Sequence, residues 1–357
     1  MKPIPSTKSP HTFAEFTTQK GARIYRIPMQ AFPGFWAYAY LVFVDDLIVL
    51  IDTGSGFGDC NEQLEEGFER VRSIEGLASV MDNLDYILIT HGHIDHIGGL
   101  PYLLERTDAK VGIHELDLRN LTNYEERIFV SVRRLREFLI EAGVGDEKRE
   151  EIMRVYEVNK ALFSSVPVDF TFEAIGMQLE NRFEFLHVPG HSAGHVVIRL
   201  DDYLFCGDHV LNGISPHQWP ERLTMNMGLG HYLGSLDKLD TWVGEDVKLT
   251  LSGHNEAIED VHDRIKQIKG IHAQRLERTL EILSEPRTIA DVSSQLFGEV
   301  GGYDILLSVE QAGAHVEYLY QRGLLGISNI EEIEQGGVPL LYERMNDSVA
   351  EQVRICC

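Results

Sequence analysis

The sequence predicts an α/β protein with a helical insertion and a small C-terminal winged-helix-like unit. Three observations carry this. Short apolar runs of strand character alternate with helical spacings between residues 22 and 251, and a long, charged, amphipathic block interrupts them at about 115–165. Beyond residue 258 the pattern changes to helices that end in a glycine break and a strand pair. The 357 residues, 43% hydrophobic and 25% charged, allow two domains or one with an appendage and exclude wholesale disorder.

In chain order, residues 1–12, with Pro3, Pro5 and Pro10, read as a flexible tail. Strands follow at 22–27, 38–44 and 47–51, the last two joined by a tight turn at Asp45-Asp46, and Phe32 to Trp36 forms an aromatic loop between the first two. Helical spacing at 61–73 precedes an apolar strand at 86–90 and a helix at 100–106. In the insertion, Phe129, Val132, Leu135, Phe138 and Leu139 form a stripe expected to pack on the strand-bearing core, with length enough for two helices that roof a cleft. Strands return at 183–188, 196–200, 203–205 and 247–251. A helix at 258–283, helices at 288–297 and 308–322, and a hairpin wing ending near Tyr342 complete the chain before a tail at 346–357. The expected division is a catalytic domain at 13–265 and a winged-helix-like domain at 266–345.

Lys plus Arg number 32 against 56 Asp plus Glu, a formal charge of −24, so nucleic-acid or anionic-membrane binding needs a local basic patch working against the overall field. Cys60, Cys206, Cys356 and Cys357 form no C-x-x-C pair and no secreted-type framework. No window reaches the roughly 20 apolar residues of a membrane span, and the N-terminus lacks a signal-peptide core. The expectation is a cytoplasmic protein.

The strongest local feature is His91-Gly92-His93-Ile94-Asp95-His96, directly after an apolar strand. Residues two apart in extended chain point the same way, so His91 and His93 can converge on one ion while Asp95 and His96 turn toward a second. Further ligand candidates follow later strands and a glycine: His191 in Pro-Gly-His, Asp208 in Gly-Asp and His254 in Ser-Gly-His. Imidazole and carboxylate donors suit zinc, iron or manganese. Asp95 is also placed to orient a metal-activated water and pass on its proton.

These motifs, together with the upstream Ile51-Asp52-Thr53-Gly54, resemble in their order the metallo-β-lactamase superfamily, over about residues 22 to 256. The resemblance implies a four-layer αβ/βα sandwich with two divalent metals at one sheet edge, attacking through metal-bound hydroxide. By motif, His91, His93 and His191 would hold the first ion, Asp95, His96 and His254 the second, and Asp208 would bridge them. Asp52 would fix the ligand loop by hydrogen bonds, and His195 would stand behind the ligands, as would His209. Cys206, near Asp208, reads as a buried core thiol.

His93 stands where the redox diiron branch carries Glu, which favours hydrolysis. The C-terminal unit resembles that of a subgroup holding thioesterases of acyl carriers and some endoribonucleases, and sets the chain apart from glyoxalase II, which shares the ligand set. The leading expectation is a binuclear hydrolase, zinc-dependent in the first instance, of an ester, thioester or lactone, with Phe32 and Trp36 on the substrate. The alternatives are a phosphodiesterase or endoribonuclease and a mononuclear-iron sulfur dioxygenase. The expected partner is a small acyl molecule, its carrier or coenzyme A arm reaching the basic helix from Arg264 to Arg278, with no nucleic acid and no membrane. Oligomeric state stays open, a homodimer being compatible.

Overall fold

A computed structural model describes residues 11–159, 163–334 and 337–345. The tails expected at 1–12 and 346–357, with Cys356 and Cys357, lie outside the described residues except for His11 and Thr12. The first half of the chain runs β1 (Ala14–Thr17), β2 (Arg23–Phe32), β3 (Phe35–Val44), β4 (Leu47–Ile51), α1 (Cys60–Glu75), β5 (Tyr86–Leu88), α2 (Ile94–Ile97), α3 (Leu100–Leu104), β6 (Lys110–Ile113), α4 (Leu118–Thr122), α5 (Tyr124–Glu141), α6 (Asp146–Asn159) and β7 (Phe170–Thr171). The second half runs β8 (Gln178–Leu179), β9 (Phe183–His187), β10 (Val196–Leu200), β11 (Tyr203–Phe205), α7 (Leu229–Val243), β12 (Leu249–Leu251), α8 (Val261–Ile282), α9 (Ile289–Phe297), α10 (Tyr303–Gln321), β13 (Leu325–Ile327), α11 (Ile330–Ile333) and β14 (Tyr342–Arg344).

Strands β1 to β7 form one sheet in chain order, and a second has the order β12-β11-β10-β9-β8. The pairs β4–β5, β5–β6 and β6–β7 are parallel, so each needs a crossover, and α1 to α6 supply them. Alternation along the strands makes the layers. Ile24, Tyr40, Val42, Val49 and Ile51 face the second sheet and meet Phe183, Phe185, Ile198 and Phe205. Tyr25, Ile27, Leu41 and Leu50 face the other way, onto Leu64 and Phe68 of α1 and Leu103 of α3. The outer face of the second sheet, with Val197 and Leu204, packs Tyr232 and Leu236 of α7 and Ile268 of α8. Helix, sheet, sheet, helix is the four-layer order the sequence led us to expect.

The differences are local and have physical causes. The aromatic loop is a hairpin tip, Phe32 pairing with Phe35 across Pro33-Gly34, with a bulge near Gln30. Helix α7 escaped notice because Gly230 and Gly234 lower its intrinsic helicity, and β1, β6, β7 and β8 are too short for a periodic signal. In α5 only the second half of the stripe is inward: Leu135, Phe138 and Leu139 are buried, whereas Phe129 is 68% exposed. Those inward residues share one apolar core with Ile268, Val309, Leu319 and Tyr342 of the C-terminal segment. Backbone bonds tie the two together: Ala290 N–H donates to Ala142 C=O (2.8 Å) and Leu340 N–H to Glu141 C=O (2.8 Å). Helix α8 runs unbroken across residue 265, where the sequence divides two domains.

Phe138→Ala therefore removes a buried ring seated against Gly313 and should cost about 3–5 kcal/mol. Phe129→Ala should cost less than about 1 kcal/mol. Urea denaturation of both variants measures the difference; equal costs would mean that α5 packs on another face.

Candidate metal centre

All seven candidate ligands singled out from the sequence lie at one edge of the two sheets. His91 and His93 follow β5, and α2 carries Asp95 and His96. The β9–β10 connection bears His191, β11 leads to Asp208 and β12 to His254. They gather into two groups whose donor atoms lie within 4.8 Å of one another: His91, His93 and His191, and Asp95, His96, Asp208 and His254. Asp208 belongs to the second group and reaches the first, with Oδ2 3.6 Å from His191 Nε2 and 3.2 Å from His254 Nε2, while Oδ1 is 3.4 Å from His96 Nε2. Asp95 Oδ2 lies 3.3 Å from His254 Nε2 and 3.8 Å from His96 Nε2.

The imidazoles are oriented from behind. His191 Nδ1 bonds the His217 carbonyl (2.9 Å), His254 Nδ1 the Trp36 carbonyl (2.6 Å) and His96 Nδ1 Asp52 Oδ2 (2.8 Å). Acceptors at Nδ1 fix a proton there and turn Nε2 toward the site. Correspondingly, Nε2 of His96, His191 and His254 and Oδ1 of Asp208 are buried with no hydrogen-bond partner among the described residues. Four such orphaned atoms, all from imidazole or carboxylate groups and converging on one place, fit divalent cations. His91 Nε2 and His93 Nδ1 stand 3.1 Å apart and fit the same interpretation.

Two buried carboxylates hold the loops. Asp52, at φ +60°, accepts from Thr90 N–H (2.8 Å), Thr90 Oγ1 (2.8 Å) and His96 Nδ1, and Thr90 Oγ1 lies 3.1 Å from His91 Nδ1. Asp117, which no motif marked, joins the first two ligand loops: it accepts from Gly92 N–H (2.8 Å), Ser192 Oγ (2.8 Å) and Gly194 N–H (3.0 Å). Glycine is required where loops touch side chains. A Cβ on Gly92 would sit 2.0 Å from Asn120 Nδ2, and one on Gly253 2.5 Å from His96 Cε1.

The two groups differ electrically. Burial holds His91 and His93 well below the usual histidine range, reinforced by neighbouring imidazoles, and lowers His191. In the second group burial opposes charge, but the carboxylates of Asp208, Asp52 and Asp95 overrule it and hold His96 well above its ordinary value. Asp208 and Asp95 likewise push His254 up to about 10. Asp95, despite burial, is drawn down to about 2 by His96 and His254.

Other marked residues fall variously. His195 Nε2 accepts from Asp208 N–H (3.1 Å) and its ring stacks on His91 at 4.6 Å. His209 is buried with neither ring nitrogen partnered among the described residues. Cys206 is a buried free thiol whose pKa burial raises. Phe32 and Trp36 flank the hairpin tip beside His254; Phe35 between them is 44% exposed, its ring 4.6 Å from the His254 ring. The basic helix is largely committed. Arg264 bonds the carbonyls of Leu211 (2.7 Å) and Ile214 (2.6 Å), Arg275 bonds Ser215 Oγ (2.9 Å), and Lys269 pairs with Asp237 (2.6 Å). Tyr232 is fully buried against His209, and His231 pairs with Glu221.

Asp52→Asn should weaken both ions by about 10–100-fold, since it supports His96 directly and His91 through Thr90. Asp117→Ala should weaken chiefly the ion of the three-histidine group. Competition with a chromogenic chelator reads both; equal losses from the two variants would contradict this division.

The metallo-beta-lactamase superfamily model matches residues 35–254. A metallo-beta-lactamase fold-containing protein of Sulfurisphaera tokodaii is 34% identical over 134 residues, covering 36% of this chain and 46% of that protein. A hydroxyacylglutathione hydrolase of Shewanella loihica is 27% identical over 35% of this chain and 33% of its own. The matched stretch thus spans less than half of either relative. Among solved structures, a metallo-beta-lactamase family protein from Thermus thermophilus superposes with a TM-score of 0.70 over 90% of this chain and 98% of its own, at 24% identity. A beta-lactamase domain protein from Burkholderia ambifaria gives 0.67 over 93% and 94%, at 20% identity. No helix among the described residues is long and apolar enough to cross a membrane. With the family model covering most of the chain and both ligand groups inside it, the protein belongs to the metallo-beta-lactamase superfamily.

Proposed function

We propose that the chain is a binuclear metal-dependent hydrolase, zinc-loaded, of a small ester, thioester or lactone. The observation that carries this is the pair of adjoining donor groups with Asp208 reaching both: an ion at the three-histidine group alone would leave His96 Nε2, His254 Nε2 and Asp208 Oδ1 buried without a partner among the described residues. His91, His93 and His191 would hold one ion; Asp95, His96 and His254 the other; Asp208 both. When bound, the ions lower the pKa of water and polarise a carbonyl.

The chain's own residues supply the rest. Asp95, held ionised by His96 and His254, accepts a hydrogen bond from a water nucleophile and takes its proton at Oδ1, the oxygen not turned toward those imidazoles. Phe35, with Phe57 43% exposed and 6.0 Å from Phe32 ring to ring, makes an apolar rim that favours an acyl group over a phosphodiester. The engagement of Arg264, Arg275 and Lys269 with loop atoms and Asp237 argues against α8 as a docking face for carrier phosphates. We read α9, α10 and the β13–β14 ribbon as a winged-helix-like unit that supports the site and does not bind nucleic acid.

Asp208→Ala should lose both ions and at least 100-fold in turnover, and Asp95→Asn should keep the three-histidine ion while turnover falls by orders of magnitude. Metal analysis and a screen of p-nitrophenyl esters, acyl thioesters, lactones and bis-p-nitrophenyl phosphate test this together. Hydrolysis of the phosphodiester alone would overturn it. A further expectation concerns pH. The three-histidine group is already neutral, whereas binding at His96 and His254 must expel protons held tightly by the carboxylates. Affinity there therefore falls more steeply as pH drops, and dialysis at successively lower pH should strip that ion first.

A further inference from the structure

His191 is oriented by a backbone carbonyl, not by a side chain, so whatever fixes the peptide at His217 also fixes the ligand. The segment from Leu211 to Gln218 belongs to no helix or strand and is held in place by side-chain bonds, at Asn212 to Ala257 and Asn255 and elsewhere to two helices. Arg264 and Arg275 of α8 hold Leu211, Ile214 and Ser215, and α10 holds the far end. There Gln311 Oε1 accepts from Gln218 N–H (2.9 Å), and Glu310 Oε2 lies 3.2 Å from His217 Nε2. Glu310 is fully buried, and its Oε1 has no partner among the described residues. A buried carboxyl group with one partner is costly to keep for packing alone. Its position is explained by what that partner does, because the His217 carbonyl is 2.9 Å from the Nδ1 of a metal-site histidine. Glu310 also lies well beyond residue 254, where the family match ends.

We propose that Glu310 is a positioning residue for the His91, His93 and His191 group, acting through the His217 side chain and carbonyl on His191. The inference rests on the binuclear reading above. Glu310 touches no donor atom of the site, so the effect runs through two links, and it holds whichever of the Glu310–His217 pair carries the shared proton. The C-terminal segment is then part of the metal holder and not an appendage to it.

The test is zinc titration of the metal-free full chain by calorimetry, for the parent protein, Glu310→Ala, His217→Ala, the double variant and Glu310→Gln. The parent should show two binding events. Glu310→Ala and His217→Ala should each weaken one event by about 10–100-fold, leaving the other within threefold. The double variant should be no worse than a single one, because both break the same link. Glu310→Gln, which can donate or accept at the same place, should restore both events. His217 is partly exposed, so His217→Ala keeps the test available should Glu310→Ala fail to fold. Two parental events with neither variant weakening either, or with both events weakening together, would overturn the role of Glu310. No zinc binding by the parent protein would instead overturn the binuclear reading and, with it, this inference.

Discussion

The site depends first on the carboxylate of Asp52. It occupies the first position after β4, in a left-handed backbone conformation that costs a non-glycine residue about 1–3 kcal/mol. Three donors, two from Thr90 and one from His96 of α2, offset that cost. Because β4 and β5 are parallel neighbours, both strand ends emerge on the same side, and Asp52 stands directly beside Thr90. From there one group sets His96 by direct contact and His91 through the Thr90 hydroxyl. The inter-sheet core of Val49, Ile51 and Leu88 keeps the two strands in register beneath it. Loosening that core would move the donors before it moved the layers.

What was legible in the sequence follows from how local each signal is. His91 to His96 compresses four donors into six residues, and His191, Asp208 and His254 each follow an apolar strand and a glycine, so a short window suffices to see them. Asp52 was visible only through a known motif order. Asp117 was invisible because its partners, Gly92, Ser192 and Gly194, are distant in sequence on both sides and its own neighbourhood reads as the start of a charged helix. The α8 cations show the complementary limit. Their charge is plain in the sequence, but which face of a helix turns inward depends on what packs there, and Arg264 turns in to cap loop carbonyls.

The same reasoning separates the two halves of the α5 stripe. Apolar spacing identified a helix, but only tertiary packing decided that Leu135, Phe138 and Leu139 would meet the C-terminal helices while Phe129 stayed outside. Insertion and C-terminal segment thus cover for each other: α5 buries its inner face on α10, and the turn after α5 takes backbone bonds from the residues that precede β14 and open α9. Neither has an outer layer of its own to pack against, which ties their stability to the second sheet beneath them.

The spread of the donors along the chain bears on how the protein is made. The first sheet and its helix layer can form early during synthesis, since β1 to β6 are near neighbours in sequence and the core between that sheet and its helices needs nothing beyond β7. His254 arrives only with β12, after the long excursion through α7, and its loop-closure cost comes late. A nascent chain on the ribosome would therefore expose His91, His93, Asp95 and His96 while their partners are still untranslated. An ion captured at that stage would find half a coordination shell, so loading belongs to the last step of folding.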